Sequence, residues 1–210
     1  MFSEFILSEG QHKAMKPFII AINATAGGGK TTTTRELQKR LPNAKALYFD
    51  DRDYDVDSGI IDIEKWIADG ADVNLWDLKR LAEDIDNLKT ENLDFIVLDY
   101  PFSYRHNLIG AYLNYSVFID TPLDITLARR ILRDYDRETL ICKWNEEDDK
   151  STLFDDMSYY LKNGRNPFIY GIEKGKADAD LIIDGSLDFD KIVQNICEKV
   201  LHIRVSDTAV

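Results

Sequence analysis

Cysteine is almost missing from this chain: 210 residues contain two, Cys142 and Cys197. That excludes a disulfide scaffold, and two cysteines without an evident partner suit a reducing compartment, so a cytoplasmic protein is expected. Long apolar runs are missing too. The longest stays well below half a membrane span, so no transmembrane helix and no membrane partner are expected. The opening MFSEFILSEGQHKAMK lacks the basic start, apolar core and small-residue cleavage site of a secretory signal, and none is expected. Positive charge is in deficit, with 26 Lys and Arg against 38 Asp and Glu, a formal net charge of −12. Such a surface repels a nucleic-acid backbone but does not forbid a small phosphate ligand, which feels its local site. HExxH, CxxC and Gly-x-Ser-x-Gly patterns are all absent, so a zinc site or a serine hydrolase has no support. There is no internal repeat and no low-complexity stretch.

What is present is an ordinary globular composition, 44% hydrophobic and 30% charged. A chain of this length forms one domain and buries roughly 70% of its unfolded surface. Five short apolar runs read as strands: PFIIAIN (17–23), ALYFDD (46–51), DFIVLDY (94–100), SVFIDT (116–121) and ADLIIDG (179–185). Helical patterns separate them. One runs from Lys30 to about Leu41, ended by Pro42 and Asn43. Ile60, Ile63, Trp66 and Ile67 mark a second, and Leu75, Leu78, Leu81, Ile85 and Leu88 a third. Thr121, Pro122 and Asp124 read as N-cap, first-turn proline and capping-box acid of a helix reaching about Arg137. Residues 138–176 are charged and aromatic with helical pieces, and Phe189 to Val200 is a last helix. The expected organisation is a leader (1–16), one domain (17–204) with a lid-like segment at about 138–176, and a tail (205–210). The alternation of strands and helices implies an α/β domain with a five-stranded, mainly parallel sheet. Ligands in such sheets sit beyond the carboxyl ends of the strands, here the loop after residue 23, Asp50 and Asp51, Asp99, and Asp120.

Residues 24–31 read ATAGGGKT, a phosphate-loop pattern in which Ala24 stands where the first glycine belongs. Glycines let backbone N–H groups converge on an anion, and the helix opening at Lys30 adds its positive end. Ala24, Thr25, Ala26, Gly27, Gly28, Gly29, Lys30, Thr31 and Thr32 are therefore the candidate nucleotide-binding residues, with Lys30 reaching the β- and γ-phosphates and Thr31 holding Mg²⁺. The bland alternative is a glycine-rich turn between a strand and a helix.

Asp50 and Asp51 end the second strand, where a carboxylate could accept a proton from an attacking hydroxyl or hold Mg²⁺ through water; the alternative is a solvated acidic loop. Asp99 closes four apolar residues, the shape of a strand whose acid binds Mg²⁺, although a strand-end acid can also be a cap. Asp120, beside Thr121-Pro122, reads as a capping or loop residue. Arg129, Arg130 and Arg133 share one side of a helix, Arg129 as a nucleotide contact and Arg130 and Arg133 as groups neutralising charge in phosphoryl transfer. They could equally balance Asp124, Asp134 and Asp136 on a solvated helix. Arg137 and Arg165, beside and in the lid-like segment, come second. Tyr104, Arg105 and His106 lie just past Asp99; Tyr104, Arg105 and Arg165 join Asp50 as candidate substrate contacts, while a lone histidine is more often satisfied structurally. Trp66, Trp76 and most tyrosines read as packing residues.

Together these segments resemble the uridine kinase-like branch of P-loop kinases over roughly residues 17–200. The resemblance is carried by ATAGGGKT, by FDDRDY (49–54), by VLDYPF (97–102), by FIDTPLDITLARRILRD (118–134) and by ADLIIDGS (179–186). It implies a three-layer α/β/α P-loop NTPase fold with a helical lid. It also implies transfer of the γ-phosphoryl group of ATP, with Mg²⁺, to a hydroxyl of a small molecule, first of all a nucleoside. Aligned on the family, Asp50 is the first choice of base and Asp51 the second, and residues 179–186 give the final strand and the loop that borders the adenine. The chain departs from the family where Asp99-Tyr100 replaces Glu-Gly, and residues 52–90 do not reproduce its uridine-binding features. A nucleoside monophosphate kinase or other small-metabolite kinase is the neighbouring reading, with Arg52, Arg105 or Arg165 contacting the acceptor phosphate. A regulatory ATPase without an acceptor, and a pseudo-kinase whose loop Ala24 has deformed, are readings of other classes. Oligomeric state stays open, a homo-oligomer included.

Overall fold

The computed structural model describes residues 16–50, 62–135, 137 and 152–208. Asp51, Arg52, Ile60, Asp136, Cys142, the leader before residue 16 and residues 138–151 of the lid-like segment lie outside the described residues. The elements, in chain order, are β1 (Phe18–Asn23), α1 (Lys30–Arg40), β2 (Ala44–Tyr48), α2 (Ile63–Ala68), α3 (Lys79–Lys89), β3 (Phe95–Asp99), α4 (Asn107–Gly110), β4 (Tyr115–Asp120) and α5 (Leu123–Asp134). They continue with α6 (Leu153–Tyr159), α7 (Asn166–Ala177), β5 (Leu181–Asp184) and α8 (Phe189–Thr208). Short 3₁₀ turns occupy Val73–Leu75 and Ser103–Arg105, and one π-helical turn, Tyr160–Gly164, joins α6 to α7.

All five strands are parallel, in the order β2-β3-β1-β4-β5. The central strand β1 is buried on both faces, which is why its sequence is continuously apolar rather than alternating. Phe18, Ile20 and Ile22 face one core with Leu37 of α1 and with Ile192, Val193, Ile196 and Val200 of α8. Ile19 and Ala21 face the other, with Leu81, Ala82 and Ile85 of α3 and Ile109 of α4. Helix α7 lies against β4, where Gly175 admits the Phe118 ring; a Cβ at that position would overlap it. The result is the expected three-layer α/β/α sandwich.

Local chemistry sets the ends of the elements. The Asp62 side chain accepts from the N–H of Lys65 at 2.9 Å and caps α2. Thr152 and Asp155 form a capping box at the start of α6, and Pro167 sits in the first turn of α7, where a missing N–H costs nothing. Two expectations move. Leu75 lies in a 3₁₀ turn and is exposed, because the chain turns once more before α3 starts at Lys79. Helix α8 continues to Thr208, past the residue 204 at which the domain was expected to end.

Candidate functional site

The carboxyl ends of β1, β2, β3 and β4 meet at one edge of the sheet. From β1 the chain passes through residues 24–29 into α1. Gly27 and Gly29 have φ of 82° and 97°, a region that L side chains rarely adopt. Ala24 does not share it: it has an ordinary backbone and is buried in the core beside β1. A Cβ on Gly28 would come 2.8 Å from the Ala24 methyl, so alanine in the first loop position is matched by glycine at the fifth. Substitution of the first glycine has therefore not displaced the loop from its place between β1 and α1.

Lys30 lies between two carboxylates. Its Nζ is 3.1 Å from Asp50 Oδ2 and in ion-pair contact with Asp99 Oδ1. Register explains the meeting: Asp99 is level with Ile22 of β1 and Tyr48 of β2, and the Phe49 N–H donates to the Asp99 carbonyl at 2.9 Å, carrying Asp50 past the end of β3. The two acids differ sharply in setting. The Asp50 side chain is 71% exposed, that of Asp99 only 1%. Neither Asp99 oxygen accepts a hydrogen bond of ordinary geometry from the described residues. A buried carboxylate in contact with the loop lysine, whose chain neighbour is Thr31, suits a divalent cation that shares its remaining ligands with phosphates and water. Among the described residues no cluster of three or more His, Cys, Asp or Glu side chains forms a metal cage.

Helix α5 packs onto the loop. A Cβ on Gly27 would stand 2.6 Å from the Thr126 carbonyl, and Arg129 donates from Nη1 to the Gly27 carbonyl at 3.4 Å. The three arginines of this helix divide their tasks. Arg129 reaches the loop, whereas the Arg130 guanidinium stands 4.4 Å from the centre of the Phe168 ring and ties α5 to α7. Arg133 pairs with Asp134 at 2.5 and 3.0 Å, and that bond raises its pKa. Thr121 is not the N-cap of α5. The helix begins at Leu123 after Pro122, and the Thr121 hydroxyl instead donates to the Gly28 carbonyl at 2.9 Å. Asp120 pairs with Lys176 of α7 at 2.6 Å.

Beside the first half of the loop opens a cavity of about 230 Å³. Asn23, Ala24, Thr25 and Ala26 form its floor, Trp66 and Ile67 of α2 one side, Pro101, Phe102 and Arg105 another, and Pro167, Phe168, Tyr170 and Gly171 of α7 the last. Of the candidate substrate contacts, Arg105 lines this cavity. Tyr104 does not: its hydroxyl donates to Asp180 at 2.5 Å, next to the start of β4, and burial, with that bond second, raises its pKa. Arg165 is exposed at the turn into α7, and Arg137 is exposed beyond the end of α5. His106 is structural. Its Nε2 lies 2.9 Å from the Trp76 carbonyl, which requires the proton there and leaves Nδ1 to accept from the Ile109 N–H. The aromatic walls are not legible in the sequence, where Trp66 reads as packing and nothing sets Phe168 and Tyr170 apart.

Fold and loop together define a three-layer P-loop NTPase fold. The crystal structure of TT1252 from Thermus thermophilus shares it, with a TM-score of 0.54 and 17% identity over 90% of this chain and 98% of that one. No family model matches the chain. Within the class, the chain is similar to a uridine kinase of Ureaplasma urealyticum, 26% identical over 80% of this chain and 95% of the relative. It is also similar to uridine kinase-like protein 3 of Arabidopsis thaliana, 25% identical over 88% of this chain and 44% of that larger protein. The resemblance read from the sequence is borne out: proteins named uridine kinase and uridine kinase-like match most of this chain, at about a quarter identity.

Proposed function

We propose that the chain is an ATP-dependent kinase that phosphorylates a hydroxyl of a small acceptor, a nucleoside first of all, in the cytoplasm. The observation that carries this reading is the position of Lys30 between Asp50 and Asp99, beside a cavity open to the same loop. The loop N–H groups, the amino end of α1 and Lys30 bind the β- and γ-phosphates. Thr31 and Asp99 would hold Mg²⁺, which supplies charge neutralisation across the phosphates. Asp50, paired with Lys30 but largely exposed, accepts the proton of the acceptor hydroxyl as its oxygen bonds to the γ-phosphorus and the bond to ADP breaks. Arg129 contacts the nucleotide. Arg130 and Arg133 lie on the same helix, which the Phe168 contact links to α7, one of the described elements of the lid-like segment, which closes to exclude water. The names of the relatives support the nucleoside as acceptor.

The test is ATP turnover with Mg²⁺ against nucleosides, nucleoside monophosphates, pantothenate, nicotinamide riboside and simple sugars, each beside a control without acceptor. One acceptor should stimulate turnover. Asp50→Asn should then lower kcat by roughly 10²–10⁴ with ATP affinity little changed. ATP binding without stimulation by any acceptor would favour a regulatory ATPase instead.

A further inference from the structure

The 3₁₀ turn Ser103–Arg105 is held more tightly than an ordinary loop. Ser103 is fully buried with φ of 52°, a conformation a non-glycine residue keeps only when its surroundings impose it. Its hydroxyl donates to the Asp178 carbonyl at 2.9 Å and meets the Ser116 hydroxyl at 2.6 Å. Tyr104 is fixed on Asp180, and Gly110 lies so close to the Tyr104 carbonyl that a Cβ there would overlap it. The residue that all this positions is Arg105, the one charged side chain among the described residues of the cavity wall. Its Nε stands 3.3 Å from Asp178 Oδ2 at the end of α7, and no acceptor among the described residues takes its Nη N–H groups. The wall thus offers hydrogen-bond donors with little net charge, between the aromatic faces of Trp66, Phe102, Phe168 and Tyr170.

We propose that Arg105 is the specificity-determining residue of the acceptor cavity, donating to a carbonyl oxygen of a flat, uncharged nitrogen-heterocyclic ring. Asp178 is its positioning residue. By offsetting the guanidinium charge, Asp178 sets the cavity against acceptors that already carry a phosphate. The proposal rests on the reading of this cavity as the acceptor site.

Calorimetry on the full chain tests it, with uridine, cytidine and their 5′-monophosphates as probes. The wild type should bind the nucleosides more tightly than the monophosphates. Arg105→Met should weaken nucleoside binding by about tenfold or more, with ATP binding unchanged, and Arg105→Lys should recover only part of the loss. Asp178→Asn should shift the preference toward the monophosphates by about tenfold. A merely structural role for Asp178 would weaken both probe classes alike. An unchanged preference in Asp178→Asn, wild-type affinity in Arg105→Met, or a wild type that binds none of the probes or prefers the monophosphates would each overturn the proposal. If Arg105→Met does not fold, Arg105→Lys and Asp178→Asn carry the same decision. Acceptor-dependent ATP turnover with an unchanged preference would leave the kinase reading standing while this one falls.

Discussion

The Thr121 hydroxyl, at the end of β4, donates to the Gly28 carbonyl across 93 residues of sequence. Gly185, after β5, lies directly behind Thr121, where a Cβ would overlap the threonine oxygen. The phosphate loop is therefore braced from the end of the neighbouring strand β4, with the turn after β5 behind it. Thr121→Val keeps the shape and removes the donor, leaving a carbonyl unpaired. It should cost about 1 kcal/mol in urea denaturation and weaken ATP binding several-fold, while Thr121→Ser should do neither. Unaltered ATP affinity in the valine variant would mean that the loop keeps its shape unaided.

The loop glycines should not respond alike. Gly27→Ala meets a positive φ and a carbonyl 2.6 Å from the new methyl. Gly29→Ala meets the positive φ, but its nearest neighbour is Arg129 Nη1 at 3.9 Å. The backbone term alone is about 1–2 kcal/mol, and forced overpacking adds about 1–3 kcal/mol at Gly27 only. Thermal denaturation should rank Gly27→Ala clearly below Gly29→Ala.

Asp99→Asn should separate nucleotide binding from metal binding. In the wild type the Asp99 carboxylate competes with the phosphates for Lys30. Its removal should tighten binding of metal-free ATP by about tenfold, or about 1.4 kcal/mol, and abolish most of the gain that Mg²⁺ gives. Calorimetry with and without EDTA reads both effects. Weaker metal-free binding in the variant would show that Asp99 orients Lys30 rather than competing with phosphate for it.

Tyr100 gives the protein an alkaline limit. Burial pushes its phenol well above the ordinary 10.0. Above pH about 10 the unfolded chain loses that proton and the folded chain keeps it, so stability is intact below that pH and falls as pH rises toward the folded pKa. The contribution is at most about 1.4 kcal/mol per pH unit. Tyr100→Phe should flatten this part of the pH–stability curve. It should be neutral at pH 7, because the hydroxyl has no hydrogen-bond partner among the described residues. A curve of wild-type steepness in Tyr100→Phe would assign the alkaline loss to other groups.

The sheet and the loop were legible because their signals are local. Continuous apolar runs mark strands covered on both faces, and GGGKT marks the turn into α1. The sequence reading misplaced Thr121 for the same reason. Thr-Pro-x-Asp has the form of a helix start, and nothing near it tells that a loop 93 residues earlier takes the hydroxyl. Tyr104 stood close to Asp99 in sequence, but the 3₁₀ turn sends it to the other end of β4 and leaves Arg105 in the cavity. The cavity wall was hidden because its aromatic side chains come from three separate segments, each of which alone looks like packing.

The bracing of the loop also sets an order on synthesis. Residues 24–29 leave the ribosome early, but the carboxylate beside Lys30, the threonine that grips Gly28 and the glycine behind that threonine follow about 70, 93 and 160 positions later, in a parallel sheet whose contacts are all long-range. A nascent chain carries the glycines long before it carries their support. The nucleotide site is therefore among the last parts of the protein to mature, and a chain cut short before β5 would keep the signature sequence without the structure that lets it work.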